Sequence, residues 1–359
     1  MERRDFLAIG GAALAAAAVS DSGVAQRPTS KPAAPAQLRL DAYSRTLHWL
    51  RTPGEVAEAC HQIGNTSIDL TVRPGSGHVD PAQVATALPA FVNGLRAGGI
   101  EVSMIAPNIL DADDEYAEAT LDAASSLGIH HYWWGTYRYD VAQPYWPQLD
   151  ALKPKVEAIA KLNEKYGMKG MAHPRDGAAS VSAAFFDLLD VLKNFDPRWV
   201  SFQYDTHHLL QAYDGGWVQQ LRLGTPYIGG FVWKDVMIEE SNSPNPDDAW
   251  RAAHPRPARR GRGGFPGGAR GRGGHPEAPT RTRIRQVPVG TGMINLALIA
   301  QTLKEIQFNG PMECEPEWPQ LDGASQGATE LTIPRAQAIA LLRRDHDTMM
   351  GLLTAANLV

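Results

Sequence analysis

Cysteine is nearly absent: Cys60 and Cys314 are the only two in 359 residues. That excludes a disulfide-stapled scaffold, and one pair so far apart in sequence says little about a bridge. A permanent membrane span is missing as well, because the Ala-rich apolar run from Leu7 to Val19 is too short to cross a bilayer. No large charge excess of either sign exists, the formal net charge being -5. Nor does a Gly-rich phosphate turn follow the first strand-like segment. Tyr43-Ser-Arg-Thr-Leu-His48 stands there instead, which argues against an open dinucleotide-binding sheet. What the chain does have is length and 43% hydrophobic residues, enough for one large domain with a full core.

The first residues read as an address. Glu2-Arg3-Arg4-Asp5-Phe6-Leu7 resembles a twin-arginine export signal, and Gly23-Val24-Ala25 offers the small residues that a signal peptidase reads. Residues 1–25 are therefore expected to be a signal peptide, and residues 26–37, rich in Pro and Ala, a linker. The expected location is the periplasm, with no stable membrane anchor.

From residue 38 to 359 the pattern alternates. Strand-like runs fall near 38–43, 67–72, 100–106, 129–132, 168–172, 200–204, 227–233 and 311–314. Helix-like segments lie between them, at 53–63, 81–97, 116–127, 148–166, 183–194 and 296–306. Thr52 and Asp80 stand as N-caps, each before a Pro at the first helical position. Gly128, Gly167 and Gly310 suit helix ends. Eight such units pair in parallel through crossover helices, and a closed (β/α)8 TIM barrel is their simplest closure.

One segment breaks the rhythm. Residues 239–286 are rich in Pro, Gly and Arg, with Arg-Gly-Arg-Gly-Gly at 260–264 and again at 270–274. Residues 251–285 carry ten arginines against a single acid, Glu277. This composition cannot pack a core, so a flexible insertion after strand seven is expected. The remaining chain is clearly acidic and would repel a phosphate backbone, which argues against a nucleic-acid partner and against a nuclease.

The chemistry collects at strand ends. Val200-Ser-Phe-Gln-Tyr-Asp205-Thr-His207-His208 is an apolar strand that ends in Asp and two His, residue types that suit zinc, manganese or iron. Glu313, Glu315 and Glu317 alternate, so all three share one strand face, opposite Met312 and Cys314. If that face looks into the barrel, a metal or an Arg is needed to keep them ionised. Lys234-Asp235 follows an apolar run, and a Lys there could steady an oxyanion or belong to a rim ion pair. Arg73 and His78 could grip hydroxyls or a carboxylate. Trp133, Trp134, Tyr137 and Tyr139 could line a sugar pocket or the core.

Taken with Ile68-Asp-Leu-Thr-Val-Arg73-Pro-Gly-Ser-Gly77-His78, Val289-Gly290-Thr-Gly292 and Glu315-Pro-Glu317, these stretches resemble the xylose-isomerase-like TIM barrels known as sugar phosphate isomerases/epimerases. The resemblance implies a divalent metal (Mn, Zn or Fe) held at the strand tips, with proton transfer next to a sugar carbonyl. It implies Asp205, His208 and Glu315 as metal ligands and Glu315 as the proton-transfer base; His173 is expected to complete the ligand set in a rearranged site, and His208 or Lys234 to serve the substrate oxygen. Arg73, His78, Trp134 and Arg175 are the expected substrate contacts. Two ligand positions depart from the family pattern: Val232 stands where many relatives have His, and His173-Pro174-Arg175 where many have Glu or an Asn-His pair. The expected partner is a small sugar or keto-sugar. A lyase cleaving a 3-keto-glycoside, and a carbohydrate-binding barrel that has lost catalysis, are the alternatives.

Overall fold

The structure is a computed structural model that describes residues 38–75, 77–177, 179–210, 216–240 and 282–359. The expected signal peptide, the expected linker and residues 241–281 of the insertion lie outside the described residues. Eight parallel strands close a barrel: β1 (Leu40–Tyr43), β2 (Ser67–Val72), β3 (Glu101–Pro107), β4 (His131–Trp134), β5 (Lys169–Ala172), β6 (Val200–Asp205), β7 (Ile228–Trp233) and β10 (Met312–Cys314), with β10 pairing back onto β1. The TIM barrel expected from the alternation is the fold found. Helices lie between the strands and cover the outside.

Local chemistry sets the boundaries. Helix α1 (Pro53–Ile63) begins in a full capping box: Glu55 N donates to Thr52 Oγ1, and Thr52 N donates back to the Glu55 carboxylate. It ends at Gly64, whose φ of 111° and contact with the His346 ring leave no room for a side chain. Asp80 caps a short 3-10 turn, and α2 (Val84–Ala97) follows it. Gly128 and Gly167 adopt positive φ after their helices. Gly310 does something else. Helix α8 (Leu296–Glu305) has already ended, and a side chain at 310 would run into the Gly229 carbonyl, so this glycine permits close approach of the chain to β7.

Three expectations shift. Strand β4 runs two residues later than the hydrophobic pattern suggested and takes Trp133 and Trp134 into the sheet. Helix α5 (Phe186–Leu192) starts after Ala183, because Ser182 and Phe185 hold positive φ and the Asp187 carboxylate accepts from Ser182 N. The stems of the insertion are regular, with β8 (Asp235–Glu240) and β9 (Thr282–Val287) forming an antiparallel ribbon from Asp235↔Val287 to Glu240↔Thr282. Residues 239–240 and 282–286 therefore belong to this ribbon. A long C-terminal helix (Arg335–Ala355) packs on α1 and has no counterpart in the sequence reading. Among the described residues no helix is long and apolar enough to cross a membrane.

Candidate metal centre

Strand β6 sends Ser201, Gln203 and Asp205 into the barrel, because side chains alternate along a strand. At its C-terminal tip Asp205 Oδ1 accepts from the backbone N–H of His207 (2.7 Å) and His208 (3.0 Å), at the start of the short helix α6 (Thr206–Leu210). The other oxygen, Oδ2, faces inward. It lies 3.5 Å from His173 Nε2 at the end of β5 and 3.8 Å from His208 Nε2. His173, Asp205 and His208 are all buried, and each offers a ligand atom within 4.8 Å of the others.

The proton positions can be traced through the neighbours. Gln203 Nε2 donates to Glu313 Oε1 at 2.7 Å, so its Oε1 is left to accept from His173 Nδ1 at 3.1 Å. His173 Nε2 then carries a lone pair, is buried, and has no hydrogen-bond partner. His208 Nδ1 lies 2.8 Å from Asp176 Oδ1, off the line of a good hydrogen bond but close enough to favour the proton on that nitrogen. Two imidazole lone pairs thus face one carboxylate oxygen. Burial first, and then the Arg175 charge, push His173 well below the usual imidazole range, so it is neutral at ordinary pH. Burial and the neighbouring His208 bring His207 down to about 4. This donor set, one hard oxygen with two imidazole nitrogens, fits a borderline divalent cation, and the orphaned Nε2 marks where it would be held.

Lys234, at the end of β7, is fully buried beside the triad. Its Nζ lies 3.0 Å from Asp205 Oδ2, 2.6 Å from Glu315 Oε2 and 3.0 Å from Glu317 Oε2. Burial opposes its charge, but the three carboxylates outweigh burial and lift it well above the usual lysine range. Burial likewise works against ionisation of Asp205, yet the Lys234 charge holds it well below the carboxylate range. For Glu317 the same contest brings the carboxyl down to about 2. Asp235 takes no part in this cluster. It turns away and accepts from Gly290 N and Gly292 N, tying down the Val289–Gly292 turn.

The structure brings together His173, Asp205, His208, Lys234 and Glu315. Glu315 meets the group through Lys234 and stands outside the close triad. Val232 is buried at the register position between Asp205 and Glu313, and His173 on β5 supplies the imidazole nearby. Trp134 does not reach the mouth: alternation turns it outward, fully buried, with Nε1 donating to Leu110 O. Trp133 is the ring that faces in, 4.4 Å from the His173 ring, with the Arg73 guanidinium 3.8 Å above it and that of Arg175 at 5.3 Å. His78 packs against His48 and Phe91 and touches Thr71. Its contacts lie on the β2 side, and burial lowers it to about 3.

Sequence reasoning singled out neither Gln203 nor Gln286. Gln203 was legible only as the inward residue two before Asp205. Gln286 lies on the returning ribbon strand, where it donates to Glu317 Oε2 at 2.8 Å and meets His207 Nδ1 at 2.9 Å. No sequence signal announces that reach.

The sequence profile of the xylose isomerase-like TIM barrel family matches residues 57–340. No curated protein matches the sequence. Among solved structures, the IOLI protein with a bound zinc atom superposes with a TM-score of 0.59 at 13% identity, over 89% of this chain and 99% of that one. D-psicose 3-epimerase from Clostridium cellulolyticum H10, solved with D-tagatose, gives 0.57 at 13% over 88% and 99%. The 3-keto-D-glucoside 4-epimerase of E. coli gives 0.56 at 10% over 88% and 99%. At these identities the likeness is one of fold.

Proposed function

The chain belongs to the xylose isomerase-like TIM barrel family, and on that premise we propose that it is a divalent-metal-dependent enzyme of the sugar isomerase/epimerase kind. The observation that carries the proposal is the pair of imidazole nitrogens, His173 Nε2 and His208 Nε2, turned onto Asp205 Oδ2 at the C-terminal mouth of the barrel. This is the end at which TIM barrels carry their active sites. A divalent ion held by His173, Asp205 and His208 would polarise a sugar carbonyl and its neighbouring hydroxyl.

The chain's own groups supply the rest. Glu315 presents Oε1 buried and without a hydrogen-bond partner, while Lys234 fixes Oε2. It is placed to take a proton from the carbon beside the carbonyl and return it. Lys234 stands next to it to serve the oxygen, where charge develops. Trp133, at the rim, offers a ring face to the sugar. Export to the periplasm by the twin-arginine route, from Arg3 and Arg4, is part of the same proposal. Exchanging both for Lys is expected to retain precursor in the cytoplasm.

The test is solvent exchange. Ketoses and 3-keto-glycosides are incubated in deuterated water with the metal-loaded protein, and deuterium entering next to the carbonyl is read by NMR. Exchange that needs metal and is lost in Glu315→Gln is the expected result. Protein that binds no divalent ion, or exchange no faster than in buffer, would sink the reading.

A further inference from the structure

Two guanidinium groups converge on one ring at the rim, and neither has found a counter-charge. Arg73 leaves the end of β2 and stacks on Trp133. Its Nε donates to Ala106 O at 3.0 Å, while Nη2 is buried with no hydrogen-bond partner. Arg175 leaves the turn after β5 and lies over the same ring. Its one polar contact, Nη1 to His208 Nε2, is long at 3.4 Å and goes to a ring nitrogen, not to a carboxylate. Among the described residues no carboxylate lies within ion-pair distance of either one. Asp69, deeper in the barrel, feels Arg73 only through space, and both its oxygens lack hydrogen-bond partners.

This arrangement is costly without a ligand. A buried donor on a charged group forfeits its hydration, which costs more than a neutral donor would. Two like charges beside one ring also repel. The carboxylates that could have answered them are already engaged: Asp205, Glu315 and Glu317 on Lys234, Glu317 also on Arg45, and Asp176 on His208. A divalent ion at the triad would leave the mouth positive.

We infer that the substrate of this site is an anionic sugar, whose carboxylate or phosphate oxygens are held by Arg73 and Arg175 beside Trp133. The inference rests on the barrel mouth being the active site, and goes beyond it by naming the charge of the ligand. Arg forks match such oxygens with paired hydrogen bonds, and the stack on Trp133 holds the Arg73 fork in place beforehand. The rest of the sugar then extends toward His173 and Glu315.

Calorimetric titration of the metal-loaded protein tests this with matched pairs: D-glucuronate against D-glucose, and D-fructose 6-phosphate against D-fructose. At least one charged member is expected to bind ten-fold or more tightly than its neutral partner, and which pair shows the preference separates carboxylate from phosphate. In Arg73→Met and in Arg175→Met, each compared at the same metal occupancy as the wild type, the preference should fall to within about two-fold. Arg175 is half-exposed, so its variant keeps the test open if Arg73→Met folds poorly. Equal binding of charged and neutral sugars, or a preference that survives both substitutions, overturns the inference. Binding is read without turnover, so an anion preference with no solvent exchange would defeat the proposed reaction and leave this assignment standing.

Discussion

At the mouth of the barrel Asp205, Glu315 and Glu317 surround a lysine. Deeper on the same inner wall Asp41, Asp69 and Glu313 surround none. Glu313 and Glu315 are two residues apart on one strand face, so the two groups differ by a single step of the strand repeat. Apart from the partly exposed Glu317, both groups are buried. At the mouth, Lys234 overcomes the burial penalty and drives Asp205 and Glu317 down. In the deeper group burial wins. It raises Asp41 to about 6, against help from Ser103 and Ser67, and lifts Asp69 and Glu313 well above the carboxylate range. Similar carboxyls in one barrel are therefore kept charged or neutral by whether a cation reaches them, the kind of division that separates ligands and bases from structural acids.

Removing the lysine should have the largest effect. Lys234→Met leaves three buried carboxylates facing one another, and breaking a buried pair in this way costs about 3–5 kcal/mol. Guanidinium unfolding of metal-free protein should show that loss, with a saturating divalent ion restoring part of it by taking over the counter-charge. A loss under about 1 kcal/mol would mean that the mouth is solvated and that the contrast with the deeper group is false.

The deeper group gives the opposite sign. Between pH 3.8 and about 6 the folded Asp41 binds its proton more tightly than the unfolded one does. Stability therefore falls as pH rises through that window, and the whole penalty, about 3 kcal/mol for a shift of about two units, is present above it. Asp41→Asn should thus stabilise the protein at pH 7 by up to about 3 kcal/mol, with the advantage fading by pH 4. Unfolding curves at the two pH values decide the matter. An Asn variant that is less stable at pH 7 would show that Asp41 is ionised and paired.

Gln203 joins the two groups, since its amide donates down to Glu313 and accepts from His173 above. Exchanging it for Leu frees the His173 tautomer. Loss of such a supporting partner lowers metal affinity about 10–100-fold, which a metal titration would detect. Unchanged affinity would mean that the orientation of His173 is set elsewhere.

How much of this was legible in the sequence follows from what each feature depends on. The barrel was legible because eight apolar runs with capped helices between them are local patterns, and Thr52 with Glu55 forms its capping box within four residues. That Glu313, Glu315 and Glu317 share one face was legible because a strand repeats every two residues. The fate of those charges was not, since it depends on Lys234 and Gln203, which come from other strands. Trp134 in place of Trp133 was a one-residue error with a full change of face, caused by a strand boundary set two residues early. The reach of Gln286 to Glu317 requires the β8–β9 ribbon, and so could not be read from a Pro-, Gly- and Arg-rich composition.

Arg45 provides the finest test of whether the mouth is organised by one cation. Its Nη1 lies 3.2 Å from Glu317 Oε1 and its Nη2 donates to Gln326 O, in a part-exposed setting. Exposed or half-exposed pairs contribute about 0–1 kcal/mol. Glu317 would keep Lys234 and the amide of Gln286 after Arg45 is lost, and these two groups, not Arg45, counter its burial. Arg45→Met should therefore cost under about 1 kcal/mol, a small part of the Lys234→Met loss, with metal affinity unchanged. Doubling the substitutions sharpens the point. If Lys234 alone holds the cluster, the two losses add, because Arg45 touches neither Asp205 nor Glu315. If Arg45→Met matches Lys234→Met, or the double variant loses much more than the sum, the charge of the mouth is shared among several cations, and its contrast with the deeper carboxylates is a matter of degree.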